Sequence, residues 1–145
     1  RGSGWACDVR KRSPYAAYDK VQFDEVLYNE GDSYARYMVR MKEIEQSLHI
    51  LEQLVDNIPE GDYLAKTKPI IKVPEGRYFK EVEAARGAFG IYLESRGDKF
   101  PYRLKVNSPG FNLVGAVDHM TRGSKIADLI AIGGSLDYVV PDIDR

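Results

Sequence analysis

The stretch GDSYARYMVRMKEIEQSLHILEQLVDNIPEG, residues 31–61, sets the architecture of the chain. Gly31, Asp32 and Ser33 offer a helix start with a capping side chain, and from Tyr34 the apolar positions fall at Tyr37, Met38, Met41, Ile44, Leu48, Leu51, Val55 and Ile58. Steps of three and four place these on one stripe of a helix of about seven turns. Arg36, Arg40, Glu43, Gln46 and Glu52 lie opposite, and Pro59 with Gly61 ends the run. A helix this long with a single stripe needs a broad partner surface, either another helix of the chain or one from outside it.

Downstream the period changes. Residues 62–76 carry Pro69 and Pro74 and read as a connector with at most one short strand at Ile70–Val73. Tyr78–Ala85, Ala88–Ser95 and Tyr102–Val106 alternate and are separated by Arg86-Gly87 and Arg96-Gly97-Asp98, which predicts three antiparallel strands. Phe111, Val114, Val117 and Met120 then mark a short helix stopped by Gly123. A second, more apolar helix over Ser124–Ile132 ends at Gly133-Gly134 and is expected to be buried nearly all round. Asp128 inside it would then need a cation or several donors. Upstream, the first thirty residues read as irregular chain lying on something else, with Arg10, Lys11 and Arg12 as a solvated face that Asp8, Asp19 or Asp24 could neutralise.

A length of 145 residues suffices for one domain that buries roughly 68–70% of its unfolded surface. With 43% hydrophobic and 30% charged residues the composition is that of a folded α+β protein, and no apolar run is long enough to span a bilayer. A net charge of −1 argues against a nucleic-acid surface, which needs unbalanced Lys and Arg. Cys7 is the one cysteine, so neither a disulfide framework nor a multi-thiolate metal site is available to this chain alone, and a reducing, cytosolic setting follows. The sequence opens on Arg1, without a signal pattern, as though cut from a longer protein.

Enzymatic constellations are scarce. His49 and His119 sit in helical patterns without metal-ligand spacing, and Gly87-Ala88-Phe89-Gly90 lies between strands and lacks the context of a phosphate loop. Ser3, Ser135 and Cys7 have no base that the sequence pairs with them. The terminal run GGSLDYVVPDIDR, residues 133–145, alternates Asp137, Asp142 and Asp144 with Val139, Val140 and Ile143. Such a run suits a C-terminus tucked into an interior or interface, with Arg145 held by charged partners; a solvated acidic tail is the other reading.

Ordered motifs over the whole chain carry a resemblance. They are Arg1-Gly2-Ser3-Gly4, Asp8-Val9-Arg10-Lys11, Pro14-Tyr15, Gly31-Asp32-Ser33-Tyr34, Gln46-Ser47-Leu48, Gly90-Ile91-Tyr92-Leu93, Pro101-Tyr102-Arg103, Ala127-Asp128 and Asp144-Arg145. Together they resemble the C-terminal part of the 49 kDa subunit family of respiratory complex I, the D-type subunit of NADH-quinone oxidoreductase, which is related to the nickel–iron hydrogenase large subunit. The resemblance implies that residues 1–145 are the C-terminal portion of that subunit, with a hydrogenase large-subunit-like α+β fold of a long helix, a small antiparallel sheet and two short helices. Hydrogenases end in a nickel-ligating Cys-x-x-Cys pair; Pro141-Asp142-Ile143-Asp144-Arg145 stands there instead, which excludes nickel and frees the cavity for quinone.

The resemblance further implies a peripheral subunit on the cytoplasmic side of the inner membrane, docked to a small subunit whose [4Fe–4S] cluster passes electrons to quinone, with proton translocation in the membrane arm. Asp137, Val139 and Arg145 would line or brace the quinone pocket, and Asp128 and Asp144 would be structural charge partners. A catalytically silent scaffold that docks other subunits, or the equivalent subunit of a reduced-deazaflavin or ferredoxin-dependent dehydrogenase, are the alternatives. Departures from the family pattern are Ala85 and Ala88 beside Arg86-Gly87 and a compact link between the long helix and the strands.

Overall fold

Asp32 starts the longest element, its carboxylate accepting the N–H of Ala35 at 2.7 Å. The computed structural model describes residues 1–144, and in it helix α2 spans Ser33–Val55. It stops three residues short of Ile58 because Asn57 folds back, its side-chain amide donating to the Gln53 carbonyl at 2.8 Å. Most of the expected apolar stripe does not face the rest of the chain: Tyr37, Met41, Leu48, Leu51 and Val55 are 41–64% exposed. The covered side is the adjacent one, with Ala35 and Ile50 buried.

What covers that side is the N-terminal segment. Gln53 exchanges hydrogen bonds with the Gln22 backbone at 2.8 and 2.6 Å, and Gln46 accepts the Asp24 N–H at 2.8 Å. Two helix glutamines thereby satisfy an extended chain as a neighbouring strand would. Between them Val21 and Phe23 pack on Ile50, flanked by Tyr18 and Leu54. The segment also contains a helix, α1 (Val9–Arg12), capped by Asp8.

The three strands form as the alternation predicts: β1 (Gly76–Ala84), β2 (Gly87–Ser95) and β3 (Arg103–Asn107), antiparallel in the order β1-β2-β3. Ala84 pairs with Gly87, leaving Ala85-Arg86 as a two-residue turn, and Gly87 takes φ +127°, a conformation that favours glycine. Residues 62–75 form a connector, and the one short strand that Ile70–Val73 allowed is not formed. Pro69 and Pro74 bracket it, and the Val73 carbonyl is used by the Ser95 hydroxyl at 2.7 Å.

The helical C-terminal third comprises α3 (Pro109–Gly115), α4 (Val117–Thr121), α5 (Asp128–Leu136) and α6 (Val140–Ile143). Two expectations need correction here. Helix α5 starts four residues late and runs through Gly133-Gly134, and it is not buried all round: Leu129 and Ile130 are 47% and 82% exposed, while Ile132, Ser135 and Leu136 are covered. Gly133-Gly134 fails to stop it because the left-handed residue that ends the helix comes later, at Asp137, φ +56°. The terminal run is anchored at one point rather than buried: Asp142 of α6 accepts the Gly110 N–H at the start of α3 at 3.1 Å, while Val140 is 64% exposed and α6 has no buried residue.

Total accessible surface is 11131 Å², against about 7,500 Å² for a self-contained globule of this mass. The excess lies in part on the open α2 stripe and on α5, so these faces are built for cover.

Candidate functional site

Five charged side chains from three distant segments converge near the end of β1. Asp8, fully buried, accepts the Arg10 N–H at 2.8 Å, the Arg10 guanidinium at 2.6 Å and Arg1 at 3.3 Å. Glu43 of α2 takes Arg1 at 2.6 Å and Arg10 at 2.8 Å. Glu83 of β1 pairs with Arg1 and accepts the Val9 N–H at 3.0 Å, while its own N–H donates to the Tyr15 hydroxyl at 3.1 Å. Arg10 is therefore no solvated cation: it is nearly buried, and its guanidinium also lies over the Phe23 ring at 4.8 Å.

Burial and ion pairing oppose each other in this network. Burial pushes Asp8 up, but hydrogen bonds from the Arg10 side chain and backbone, together with the charges of Arg10 and Arg1, outweigh it and hold the carboxyl below its usual range. For Glu83 burial prevails over the Val9 N–H and Arg1, and the carboxyl is pushed up. Burial acts against the Arg10 charge, yet Asp8 and Glu43 more than restore it.

Next to the network opens a cleft of about 720 Å³. Arg1, Arg10 and Glu43 form one wall, Ile44, Leu113, Met120 and Leu136 supply apolar surface, and Arg40, Arg86 and Asp137 gather at another side. Asp137 is set there by the end of α5: the left-handed turn directs its carbonyl to the Arg86 Nε at 2.6 Å, while its carboxylate lies 3.5 Å from the Arg86 guanidinium and 3.9 Å from Arg40. Arg36 ties α2 to α5, donating to Ser135 Oγ at 2.9 Å and to the Gly31 carbonyl at 2.9 Å, and burial lowers its pKa.

The predicted residues are brought together only in part. Asp137 lines the cleft. Val139 is half-buried two residues further on, at the start of α6, outside the lining. Arg145 lies outside the described residues. Asp128, expected in an apolar interior, is exposed at the first turn of α5 and its carboxylate accepts the Lys125 N–H at 2.9 Å; it needs no buried counter-ion because the helix starts there. Asp144 follows α6 and its N–H donates to the Val140 carbonyl at 2.9 Å. Arg86, Arg40, Arg1, Glu43 and Glu83 do not stand out in the sequence as site residues, and the one signal for Arg86 is its place in a strand-to-strand turn. Among the described residues no group of three His, Cys, Asp or Glu side chains is placed to hold a metal, and no helix is long and apolar enough to cross a membrane.

Known proteins share this outline. The family model described as "Respiratory-chain NADH dehydrogenase, 49 Kd subunit" matches residues 1–72 and 65–145, two stretches that overlap within the connector. The C/D-type NADH-quinone oxidoreductase subunit of Bacteroides fragilis is 69% identical over the whole chain, which covers 27% of that relative. The D-type NADH-quinone oxidoreductase subunit of Desulfotalea psychrophila is 56% identical, again over the whole chain, which covers 39% of it. A solved structure of the membrane-bound sulfane sulfur reductase, an archaeal respiratory membrane complex, superposes with a TM-score of 0.91 at 41% identity, over 100% of this chain and 41% of that one. The chain thus spans between a quarter and about two-fifths of the proteins it matches. It belongs to the 49 kDa subunit family of the respiratory-chain NADH dehydrogenase.

Proposed function

We propose that this chain is the C-terminal part of the 49 kDa subunit of a complex I and forms one side of its quinone pocket. The observation that carries the reading is Asp137, held by a left-handed helix end between Arg40 and Arg86 at the edge of a cleft with an apolar wall. Reducing a quinone to a hydroquinone takes two electrons and two protons; a [4Fe–4S] cluster in a partner small subunit would supply the electrons, and the protons would come from groups outside these 145 residues. This chain's own work is positioning and field. Leu113, Leu136 and Ile44 exclude water from one face of the ring, Arg40 and Arg86 favour oxygen atoms as they gain negative charge, and Asp137 offsets that field. Val139 extends the apolar wall, and Arg145, Asp128 and Asp144 brace the terminal run or meet charges of neighbouring subunits.

The open α2 stripe and α5 face the remaining polypeptide of the complex, whose peripheral arm sits on the cytoplasmic side of the membrane and couples electron transfer to proton translocation. Quinone is favoured as acceptor over sulfane sulfur because identity to quinone-named relatives reaches 69%, against 41% to the sulfane sulfur reductase. A photoaffinity quinone analogue on the intact complex tests the proposal. Labelling of the peptide around Asp137, with altered quinone turnover in Asp137→Ala and Val139→Met, is expected. Labelling confined to other subunits with unchanged turnover in both variants leaves only the scaffold reading.

A further inference from the structure

We infer that the open half of the sheet face bearing Arg77, Phe79, Arg103 and Lys105 docks an acidic segment of another subunit. This rests on the chain belonging to a multi-subunit complex and not on where quinone binds. Strand register sets two rows of side chains on one face: Arg77, Glu94 and Arg103 in the first, Phe79, Tyr92 and Lys105 in the second. Further along the same face of β1 come Glu81 and Glu83. Both are taken by the N-terminal segment, Glu81 by Arg12 at 2.6 Å and Glu83 by Arg1. Those acids therefore have their cations within the chain. The cations of the open half have no such match: among the described residues Arg77, Arg103 and Lys105 make no ion pair, and all three are exposed.

Between these charges lies an aromatic floor. Phe79 is 62% exposed, yet its ring has a fixed place: a Cβ at Gly90 would lie 3.2 Å from it, so the missing side chain of Gly90 lets the ring lie down on the sheet. Half-exposed Tyr92 stands beside it in register. Glu94 offsets one of the three cationic charges. That balance is too mixed for an anionic lipid surface or a nucleic acid, both of which recruit runs of unopposed Lys and Arg. Aromatic rings edged by arginine are instead the composition of a protein–protein contact. The apolar faces of α2 and α5 suit the interior of the same polypeptide, whereas a flat charged face suits a separately folded partner whose register is set by charge. Arg77 and Arg103 stand on the two outer strands, about 10 Å apart, so the partner presents carboxylates at that interval around an apolar residue that covers Phe79. The patch is at the far end of β1 from the Arg86 turn, roughly 25 Å along the strand, and contributes nothing to the cleft.

Cross-linking and salt stripping of the purified complex, with the full-length subunit in place, test the inference. A carbodiimide, which joins a lysine amine to a carboxylate in direct contact, is expected to link Lys105 to an Asp or Glu of another subunit, read by mass spectrometry of the linked peptides. Combining Arg103→Glu with Lys105→Glu is expected to lower, by roughly twofold or more, the salt concentration that strips that subunit from the complex. Phe79→Ala should loosen the same subunit while keeping the wild-type salt dependence, since it removes no charge. Should the double variant not assemble, Lys105→Gln carries the test with a smaller fall in the same direction. Replacing the linked carboxylate by Lys should restore retention in Lys105→Glu, a rescue that a merely structural role would not give. Lys105 linked only within its own polypeptide, or left unlinked while other lysines of the complex are linked, overturns the inference. An unchanged stripping concentration in the charge variants does the same. Loss of co-purifying anionic lipid from those variants, with every subunit retained, assigns the face to lipid and overturns it too. A subunit that co-purifies with no other polypeptide fails the complex reading itself, and the docking face falls with it.

Discussion

Replacing Asp8 with alanine should be among the most damaging single changes in this chain. Its carboxylate is fully buried and holds the Arg10 backbone and guanidinium at 2.6–3.1 Å as well as Arg1 at 3.3 Å. Without it the buried Arg10 guanidinium keeps Glu43 as its remaining acid partner, at 2.8 Å. Breaking a buried pair from one side costs about 3–5 kcal/mol, and losing a helix cap about 1 kcal/mol. The two overlap at Arg10, so a total near 4 kcal/mol is expected. Arg12→Gln is the reference: Arg12 meets Glu81 at 2.6 Å, but is more than half exposed, and should cost under about 1 kcal/mol. Urea-unfolding midpoints of the subunit in the purified complex compare the two, with Asp8→Asn falling between them. An Asp8→Ala loss no larger than that of Arg12→Gln would refute the reading of the network as a buried, mutually dependent set.

A Cβ at Gly110 would meet the Asp142 carboxylate that accepts its N–H, so Gly110→Ala should turn that side chain aside, loosen α6 and cost about 1 kcal/mol, seen as faster proteolysis of the last residues. The two shifted carboxyls act in opposite directions with pH. The lowered Asp8 supplies stability that is complete above about 3.9 and is lost as pH falls through its folded value, whereas the raised Glu83 makes stability decline as pH rises from about 4.3 to its folded value. Glu83→Gln should therefore flatten the upper slope and leave the acid limb, measured by denaturation across pH 2–7. The 145-residue polypeptide on its own should self-associate through the α2 stripe and α5; a clean monomer at high concentration by sedimentation would contradict this.

Local signals in the sequence are enough for the elements whose partners are near. Asp32 starts α2, alternation at Phe89, Ile91 and Leu93 makes β2, and Gly87 marks the turn. Amphipathic spacing in α2 shows that a face wants cover without showing what covers it, and here the glutamines of the adjacent face bind the N-terminal segment instead. Glycines at 133 and 134 read as a helix end because propensity is local, but packing of Ile132, Ser135 and Leu136 carries α5 past them. The charge network is illegible for a related reason: Asp8, Glu43 and Glu83 are far apart in sequence, and nothing in Arg10-Lys11-Arg12 marks its first member as the buried one. Asp137 is legible through the terminal run, but its partner Arg86 follows only from the fold.

Whether the cleft beside Asp137 receives the quinone headgroup is measured directly by an experimental structure of the whole complex with a bound headgroup analogue. The analogue's oxygen is expected within hydrogen-bonding distance of Arg86 or Arg40, with its ring against Leu136 and Leu113. An analogue seated on other subunits, with the Asp137–Arg86 contacts unchanged and the cleft filled by protein, would contradict the quinone reading.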